Sequence, residues 1–386
     1  MLFHNYSDPN FDWSASPSSI QPRKDLIEVI ENMGFSRDMA TSLISSGYVA
    51  SKYSPTIIDR FHGGPLMSSD GRTRFSQAHF REIFDDGGCM NSPFPLYRAK
   101  SGQDVRECVE KIQTSVQSKS LCFRGQTSHY SLDRKIKNPT LTHPTLGETS
   151  LVPSVWRHML SSTPHVFPEF VGISPLEWST ILYKLWPMDE ICSREKALQE
   201  NDEWLYTIGD MEDCSDELLR AFGKFRGDLL FGGPLLHVGL LTMMQHYGLP
   251  TPFLDLTTDL EVAFFFATHK FGSLDSRATY EFVGTNDGQS IIYVLSLQEG
   301  DMHTNERDQV MKVAKPERPL RQSCVVASTN AWSINLPADY IVGAIFLDYD
   351  MDVAGQYGAH ELFPRPCEDP LLKAWASTGT YPLTIF

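Results

Sequence analysis

The sequence predicts an α+β protein in which one large domain follows a small helical segment. At 386 residues the chain exceeds the size at which a single core usually stops growing. Residues 104–116 alternate apolar and polar side chains at a helical period, and residues 119–123, which end in Leu121-Cys122-Phe123, then predict a short buried strand. With 41% hydrophobic and 21% charged residues, the composition is that of an ordinary globular protein.

Charge and composition narrow the classes of partner. The formal net charge of −15 repels nucleic acid, whose phosphates must be neutralised by Lys and Arg, so a protein is favoured as the macromolecular partner. The most apolar stretches, 235–244 and 262–267, fall short of the roughly 18 apolar residues of a membrane span. We therefore expect no membrane partner.

The beginning of the chain and the cysteines indicate the compartment. The first residues show neither the basic region nor the apolar region of a secretory signal, which predicts a cytoplasmic location. The seven cysteines include no CxxC and no Cys/His pair at the spacing of a zinc site. Free or buried thiols and no metal are therefore expected.

Composition divides the chain into segments. Residues 1–22, rich in Ser, Pro and Asn, are predicted to form a flexible arm. Apolar residues at helical spacing, with Gly34 between two runs and Gly47 after the second, predict a small helical hairpin within 23–60. Turn signals make 60–100 loop-like. The remaining predicted units are the main domain 96–370, a helical insert 152–231 with helices at 176–185, 194–208 and 217–222, and a C-terminal extension 371–386.

Five short sequence blocks stand out in order along residues 123–267. They are Phe123-Arg124-Gly125-Gln126, Val152-Pro153-Ser154-Val155-Trp156-Arg157, Gln245-His246-Tyr247-Gly248-Leu249-Pro250-Thr251, Leu254-Asp255-Leu256-Thr257-Thr258-Asp259 and Ala263-Phe264-Phe265-Phe266-Ala267. Residues 96–370 thus resemble an FRG domain, which is named for the first of these blocks.

The N-terminal hairpin has a resemblance of its own. Its Met33-Gly34-Phe35 loop is similar to that of ubiquitin-associated domains, which implies ubiquitin or another protein as a partner of these helices. An ordinary packed helical hairpin is the alternative interpretation of the same residues.

The FRG pattern is in turn similar to that of ADP-ribosyltransferases, whose folds contain mixed or antiparallel sheets. Arg124 would take the place of the first-strand arginine, and Asp255, Thr257 and Thr258 that of the second strand, followed by a helix over 263–267. The resemblance implies NAD as co-substrate, a macromolecular acceptor, and a toxin or defence effector as one biological role.

NAD chemistry explains the residue types. Breaking the nicotinamide bond passes through an oxocarbenium-like sugar, so the site must anchor the diphosphate and stabilise positive charge. A guanidinium presents a planar fork of donors to phosphate oxygens, glycine permits a close backbone approach to the ligand, and aromatic rings stack on nicotinamide. The resemblance implies these cofactor-binding residues: Arg124, Gly125, Gln126, Tyr247, Asp255, Thr257, Thr258 and Phe266.

The catalytic residues implied by the resemblance are Arg124, Gln322 and Glu361. Transferases of this kind use a glutamate on a late strand, and the corresponding block here, Arg321-Gln322-Ser323-Cys324-Val325-Val326, offers Gln322. A neutral amide stabilises a cation less than a carboxylate does. Glu361 is the second possibility, although Leu362-Phe363-Pro364 beside it resembles a helix cap.

Structural alternatives stand beside these assignments. Arg124 can clamp Asp255, and Asp255, Thr257 or Thr258 can cap the helix that begins near Asp259. His246 can be a hydrogen-bonding partner as well as a catalyst. The chain as a whole can be a non-catalytic recognition module that binds a nucleotide or a protein. It contains no GxxxxGK[ST], GxSxG or HExxH motif.

Overall fold

The computed structural model describes residues 23–50, 57–62, 93–116, 120–161, 186–201, 207–227, 242–243, 245–248, 251–274, 277–297, 302–304, 316–329, 333–351 and 357–376. The predicted arm 1–22, the helix predicted at 176–185 and the last ten residues of the predicted extension lie outside these ranges. In the described ranges, no helix combines the length and the apolar character needed to cross a membrane.

The helices are distributed along the whole described chain. They are α1 (Arg23–Asn32), α2 (Arg37–Ser45), α3 (Gly102–Val116), α4 (Ser154–Ser161), α5 (Met188–Glu200), α6 (Ile208–Glu212), α7 (Glu217–Gly227), α8 (Leu260–Thr268), α9 (Glu317–Arg321), α10 (Ala359–Leu362) and α11 (Pro370–Ala376), with a 3-10 helix at Leu336–Tyr340.

The strands are β1 (Tyr48–Ala50), β2 (Ile57–Asp59), β3 (Leu96–Ala99), β4 (Cys122–Gln126), β5 (Thr142–His143), β6 (Gly147–Glu148), β7 (Phe253–Thr257), β8 (His269–Leu274), β9 (Arg277–Phe282), β10 (Ile291–Leu295), β11 (Met302–Thr304), β12 (Cys324–Ser328) and β13 (Ile341–Leu347). Seven of them form one sheet in the order β11-β12-β7-β4-β10-β13-β3. Its neighbours are antiparallel apart from the parallel pair of β13 and β3, so the α+β prediction is confirmed with a mixed sheet.

Alternating side chains give this sheet two buried faces. Phe123 and Ile292 point to the face covered by helices α3 and α8, where Ile112 and Ala263 meet them. The neighbouring residues Cys122 and Tyr293 of these strands, with Leu256 of β7, pack on the opposite face against Leu146 and Leu151. The core therefore lies on both sides of the sheet.

Two strands differ from their predicted positions. The strand predicted at 119–123 is Cys122–Gln126, so Arg124 and Gly125 lie inside it, because β4 pairs with β10 along its whole length. Leu96–Ala99 falls in the segment predicted as a loop but pairs in parallel with β13. In both cases the deciding partner is remote in sequence, which local patterning does not reveal.

The described part of the predicted helical insert is helical, with one break that the sequence analysis missed. The helix predicted over 194–208 ends at Glu200, and α6 begins afresh at Ile208. Thr207 caps this new helix, because its hydroxyl accepts the backbone N–H of Asp210 at 3.1 Å.

The N-terminal segment contains the two predicted helices and a strand pair that was not predicted. Strands β1 and β2 pair in antiparallel register, and Ile30, Leu43 and Tyr48 are buried in one cluster with the helices. Met33 lies in this cluster and Phe35 packs against it, so part of the Met-Gly-Phe loop serves the segment's own core. A ubiquitin partner stays a prediction.

A buried ionic cluster ties this segment to the main domain. The Arg134 guanidinium donates to both carboxylate oxygens of Asp59, at 2.9 and 2.8 Å, and through Nε to Glu148 Oε2 at 2.9 Å. His62 contacts Glu148 Oε1 at 3.0 Å and also Asp339. Burial alone would lower the pKa of His62, but the Asp339 and Glu148 carboxylates outweigh it and raise that pKa to about 10.

A second constraint fixes α8 on the sheet. A Cβ placed on Gly125 would lie 1.8 Å from the backbone oxygen of Ala263, so β4 and α8 approach each other more closely than any side chain permits. Gly125 was predicted to let the backbone approach a ligand. The packing against α8 already requires a glycine here, and the approach to a ligand stays a prediction.

Replacing Arg134 with Ala should lower the free energy of unfolding by about 3–5 kcal/mol, because the Asp59 and Glu148 carboxylates would stay buried without their cation. Urea unfolding measures the change. Arg37→Ala is the matched control, since the Arg37–Glu31 pair at 3.9 Å is exposed and should contribute about 0–1 kcal/mol. Equal losses in the two variants would contradict the structural role of the cluster.

The stability that His62 contributes should depend on pH. Because its pKa rises from 6.5 to about 10 in the folded chain, this stability is fully present below pH 6.5 and is lost as the pH rises through about 10. The difference in unfolding free energy between the wild type and His62→Gln should therefore shrink over that interval. A difference that is constant from pH 6.5 to 10 would refute the assignment.

Gly125→Ala should destabilise the chain by about 3 kcal/mol, because either α8 or β4 must shift to admit the methyl group. Gly102→Ala is the control: its added Cβ would make contacts of 3.6 and 3.7 Å at ordinary packing distance, and alanine favours the helix it begins. Thermal unfolding of both variants provides the comparison. A Gly125→Ala variant as stable as Gly102→Ala would show that the close approach is absent.

Candidate functional site

A cleft opens where strands β4 and β7 diverge. The two strands share one facing pair of residues, Phe123 and Thr257. Beyond this pair the backbones of the two strands no longer bond each other. The Asp255 backbone oxygen instead accepts a hydrogen bond from Arg124 Nη1 at 2.7 Å. The resulting cleft has a volume of about 350 Å³, within the range of small-molecule sites.

Residues from several elements line the cleft. The strands and α8 contribute Phe123, Arg124, Gly125, Gln126, Thr127, Asp255, Leu256, Thr257, Val262 and Phe266, and other parts of the chain contribute Tyr130, Arg157, His246, His269, Phe271, Tyr280 and Gln322. The structure thus brings together seven of the predicted site residues: Arg124, Gly125, Gln126, Asp255, Thr257, Phe266 and Gln322.

Arg124 offers the cleft a guanidinium that is only partly engaged. Its Nε is buried and has no hydrogen-bond partner in the described part of the chain, in contrast to its Nη1. Burial lowers the pKa of Arg124, and the Asp255 charge opposes this effect. A buried donor without an acceptor is costly, so an acceptor on a bound ligand would stabilise the site.

Arg157 of α4 adds a second guanidinium to the same cleft. Its position is held by the neighbouring Trp156, whose indole N–H donates to Thr329 Oγ1 at 2.7 Å. The Arg157 residue is exposed, and desolvation at the cleft together with repulsion by Arg124 lowers its pKa. Two like charges that converge on one cavity favour a bound anion. Arg157 belongs to the second quoted block but was not predicted as a site residue.

An aromatic wall stands on the side of α8 and the β8–β9 hairpin. The Tyr280 ring lies 6.0 Å from Phe266 and 5.5 Å from Phe271 between centroids, both in edge-to-face geometry. Phe271 is 50% exposed, so part of its ring can receive a planar ligand. Burial raises the pKa of Tyr280 to about 12, which keeps the phenol neutral.

The polar groups at the base of the cleft differ in whether they are free to bind a ligand. The Thr257 hydroxyl donates to the backbone oxygen of Gln322 at 2.8 Å, and Gln322 Nε2 donates to that of Leu362 at 3.0 Å. These two donors are thus engaged within the protein. The Asp255 side chain is 31% exposed and lies beside His246, whose Nε2 is 3.4 Å from Asp255 Oδ1.

Three predicted site residues do not line the cleft. Tyr247 is fully buried and its hydroxyl donates to Asp369, so its ring cannot stack on a ligand. Thr258 is exposed, and its hydroxyl lies 3.4 Å from the backbone oxygen of Ser323. Glu361 is exposed and its Oε2 accepts the backbone N–H of Gly358 at 2.6 Å, in the capping role left open by the sequence.

Two local predictions require correction. Gln322 was placed within a strand, but it follows α9 as the C-cap residue, and Ser323 turns the chain with a φ of 44° before β12 begins. Helix α8 is capped by Asp259 itself, whose Oδ1 accepts the backbone N–H of Glu261 at 2.8 Å. Asp255 is therefore free of the capping role considered for it.

Several functional residues escaped the sequence analysis. Tyr280 and Phe271 belong to the β8–β9 pair, whose register places them directly opposite each other. Apolar alternation along residues 277–282 was the available signal for this strand. Nothing in the local sequence connects them with Arg124.

The comparisons with known proteins identify one family. The family model of the FRG domain matches residues 192–275, a segment that includes the third, fourth and fifth sequence blocks and extends into β8. The blocks 123–126 and 152–157 lie outside the matched segment. No curated protein and no solved structure matches the chain. The match supports the FRG family resemblance over residues 192–275, which lie within the predicted domain 96–370.

Proposed function

We propose that the cleft binds NAD and that the chain transfers its ADP-ribosyl group to a macromolecular acceptor. The observation that carries the proposal is the convergence of Arg124 and Arg157 on one cavity that also has an aromatic wall. The same proposal includes four further points: an ADP-ribosyltransferase-like arrangement of the sheet, a protein acceptor, a cytoplasmic location and a toxin or defence role.

Charge and shape both support a dinucleotide ligand. Guanidinium forks pair with phosphate oxygens through two parallel hydrogen bonds, and two forks match the two negative charges of a diphosphate. A net charge of −15 repels anions from most of the surface, so a local pair of cations would direct them to the cleft. The rings of Phe266 and Phe271 would take the nicotinamide.

The reaction breaks the bond between C1′ of the ribose and the nicotinamide nitrogen. Nicotinamide leaves with the electron pair, an acceptor lone pair forms the new bond to C1′, and the acceptor's proton passes to solvent. The sugar becomes positively charged on the way, which a carboxylate stabilises. Among the described residues lining the cleft, Asp255 carries the carboxylate, so we assign this role to Asp255 in place of Glu361.

Nicotinamide release from NAD tests the proposal. Arg157→Ala should reduce kcat/KM by about 10–100-fold, the loss expected for one charge-assisted contact of about 1.5–3 kcal/mol. Arg157→Lys should recover part of it, because the charge remains while the fork is lost. Arg220→Ala, which removes an exposed arginine of α7, should behave as wild type.

Of the two arginines, Arg157 gives the clearer mutational test of ligand binding. Arg124 also donates to the backbone of Asp255, so its removal changes the strands as well as the ligand site. Release that is equally fast in wild type and Arg157→Ala would contradict the proposal. Release that requires an added protein fraction would identify the class of acceptor.

The engaged donors at the base of the cleft favour a second function, that of a non-catalytic recognition module. Gln322 Nε2 and the Thr257 hydroxyl serve the protein's own carbonyls, which leaves few groups to act on a ribose. Calorimetry with NAD separates the two functions. Binding without nicotinamide release, even with cell lysate as acceptor, would establish recognition, whereas the absence of binding would reject NAD as the ligand.

A further inference from the structure

Three metal-ligating groups converge at one wall of the cleft. His246 Nε2 lies 2.8 Å from Cys324 Sγ and 3.4 Å from Asp255 Oδ1. All three donor atoms lie within 4.8 Å of one another. They come from three parts of the chain: the turn at 245–248, strand β12 and strand β7.

The arrangement differs from that of a catalytic relay. In a nucleophile–histidine–carboxylate triad, one ring nitrogen faces the nucleophile and the other faces the carboxylate. Here the thiol and the carboxylate both face the same nitrogen, Nε2. Three donors directed at a common point are the geometry of metal coordination.

Hydrogen bonding within the cluster does not satisfy all of its members. Asp255 Oδ1 is buried and has no hydrogen-bond partner among the residues that the structure describes, although a buried carboxylate oxygen ordinarily has one. One ring nitrogen makes one hydrogen bond, so Nε2 cannot serve both neighbours. A divalent cation placed between the three atoms would satisfy them together.

We propose that His246, Asp255 and Cys324 bind a divalent transition metal ion of the zinc class. Imidazole, thiolate and carboxylate are all zinc ligands. Zinc bond lengths of about 2.0–2.3 Å separate tetrahedral ligand atoms by about 3.5 Å, so the imidazole and the thiol must move apart by less than about 1 Å. His246 and Asp255 line the cleft, which directs the fourth coordination position to a bound ligand.

The surroundings hold the ligands in place. Arg318 Nη1 donates to the His246 backbone oxygen at 3.1 Å. Such outer contacts orient the ligands of metal sites. A second His and carboxylate group, Asp59, His62 and Glu148, differs because the Arg134 guanidinium already lies between its carboxylates.

The metal site goes beyond the proposed function and does not depend on it. Oδ1 is the buried oxygen of Asp255, so the exposed part of this half-buried side chain remains available to a ribose. Metal binding is measured without NAD. Failure of either idea is therefore distinguishable from failure of the other.

Cobalt titration of the chelator-treated full chain tests the site. One equivalent of Co²⁺ should produce a sulfur-to-cobalt charge-transfer absorption band, and Zn²⁺ should displace it. The band should be lost in Cys324→Ser and in His246→Gln. Cys122→Ser is the matched control, because Cys122 is also a buried strand cysteine but belongs to the cluster on the opposite face of the sheet, and it should keep the band.

Circular dichroism and thermal unfolding verify that each variant is folded. Cys324→Asp supplies an oxygen ligand, so it should lose the band yet still be stabilised against unfolding by Zn²⁺. The proposal is overturned if the wild type shows no band. A band that persists in Cys324→Ser would arise from another thiol, such as the exposed Cys192 or Cys367, and would overturn it as well.

Discussion

The contact between Gly125 and the backbone of Ala263 is the constraint on which the site depends. It sets α8 directly on β4, at a distance that admits no side chain. Arg124 precedes this glycine in β4, and Phe266 follows Ala263 by three residues in α8, so one packing contact places both in the cleft. The sheet provides the space for the cleft, because β7 separates from β4 after a single facing pair.

Two sets of arginines differ in the charges that surround them. Arg134 is surrounded by the carboxylates of Asp59 and Glu148, which make a neutralised cluster suited to holding two segments together. Arg124 and Arg157 instead repel each other across a cavity that one lining carboxylate, Asp255, faces. Perturbed charges of the second kind are typical of functional sites.

Sequence patterns predicted the helices more successfully than the strand positions, and located most of the cleft. Helix α3 lies where its periodicity predicts it, α8 includes the helix over 263–267 that the resemblance implies, and the FRG blocks supply Arg124, Asp255 and Phe266. Tyr247 looked equally suitable, but its partner Asp369 is 122 residues away and takes it out of the cleft. The contacts of Asp59 with Arg134 and of His246 with Cys324 could not be predicted for the same reason. The partners in each pair are far apart in sequence and belong to separate elements.

The central claim is that the cleft between β4 and β7 is a site for an anionic nucleotide. A crystal structure of the full chain grown with ADP-ribose, the part of NAD that remains after nicotinamide leaves, tests it most directly. The account predicts that the diphosphate lies between the Arg124 and Arg157 guanidiniums. A diphosphate bound elsewhere, or a cleft that holds no ligand at saturating ADP-ribose, would contradict it.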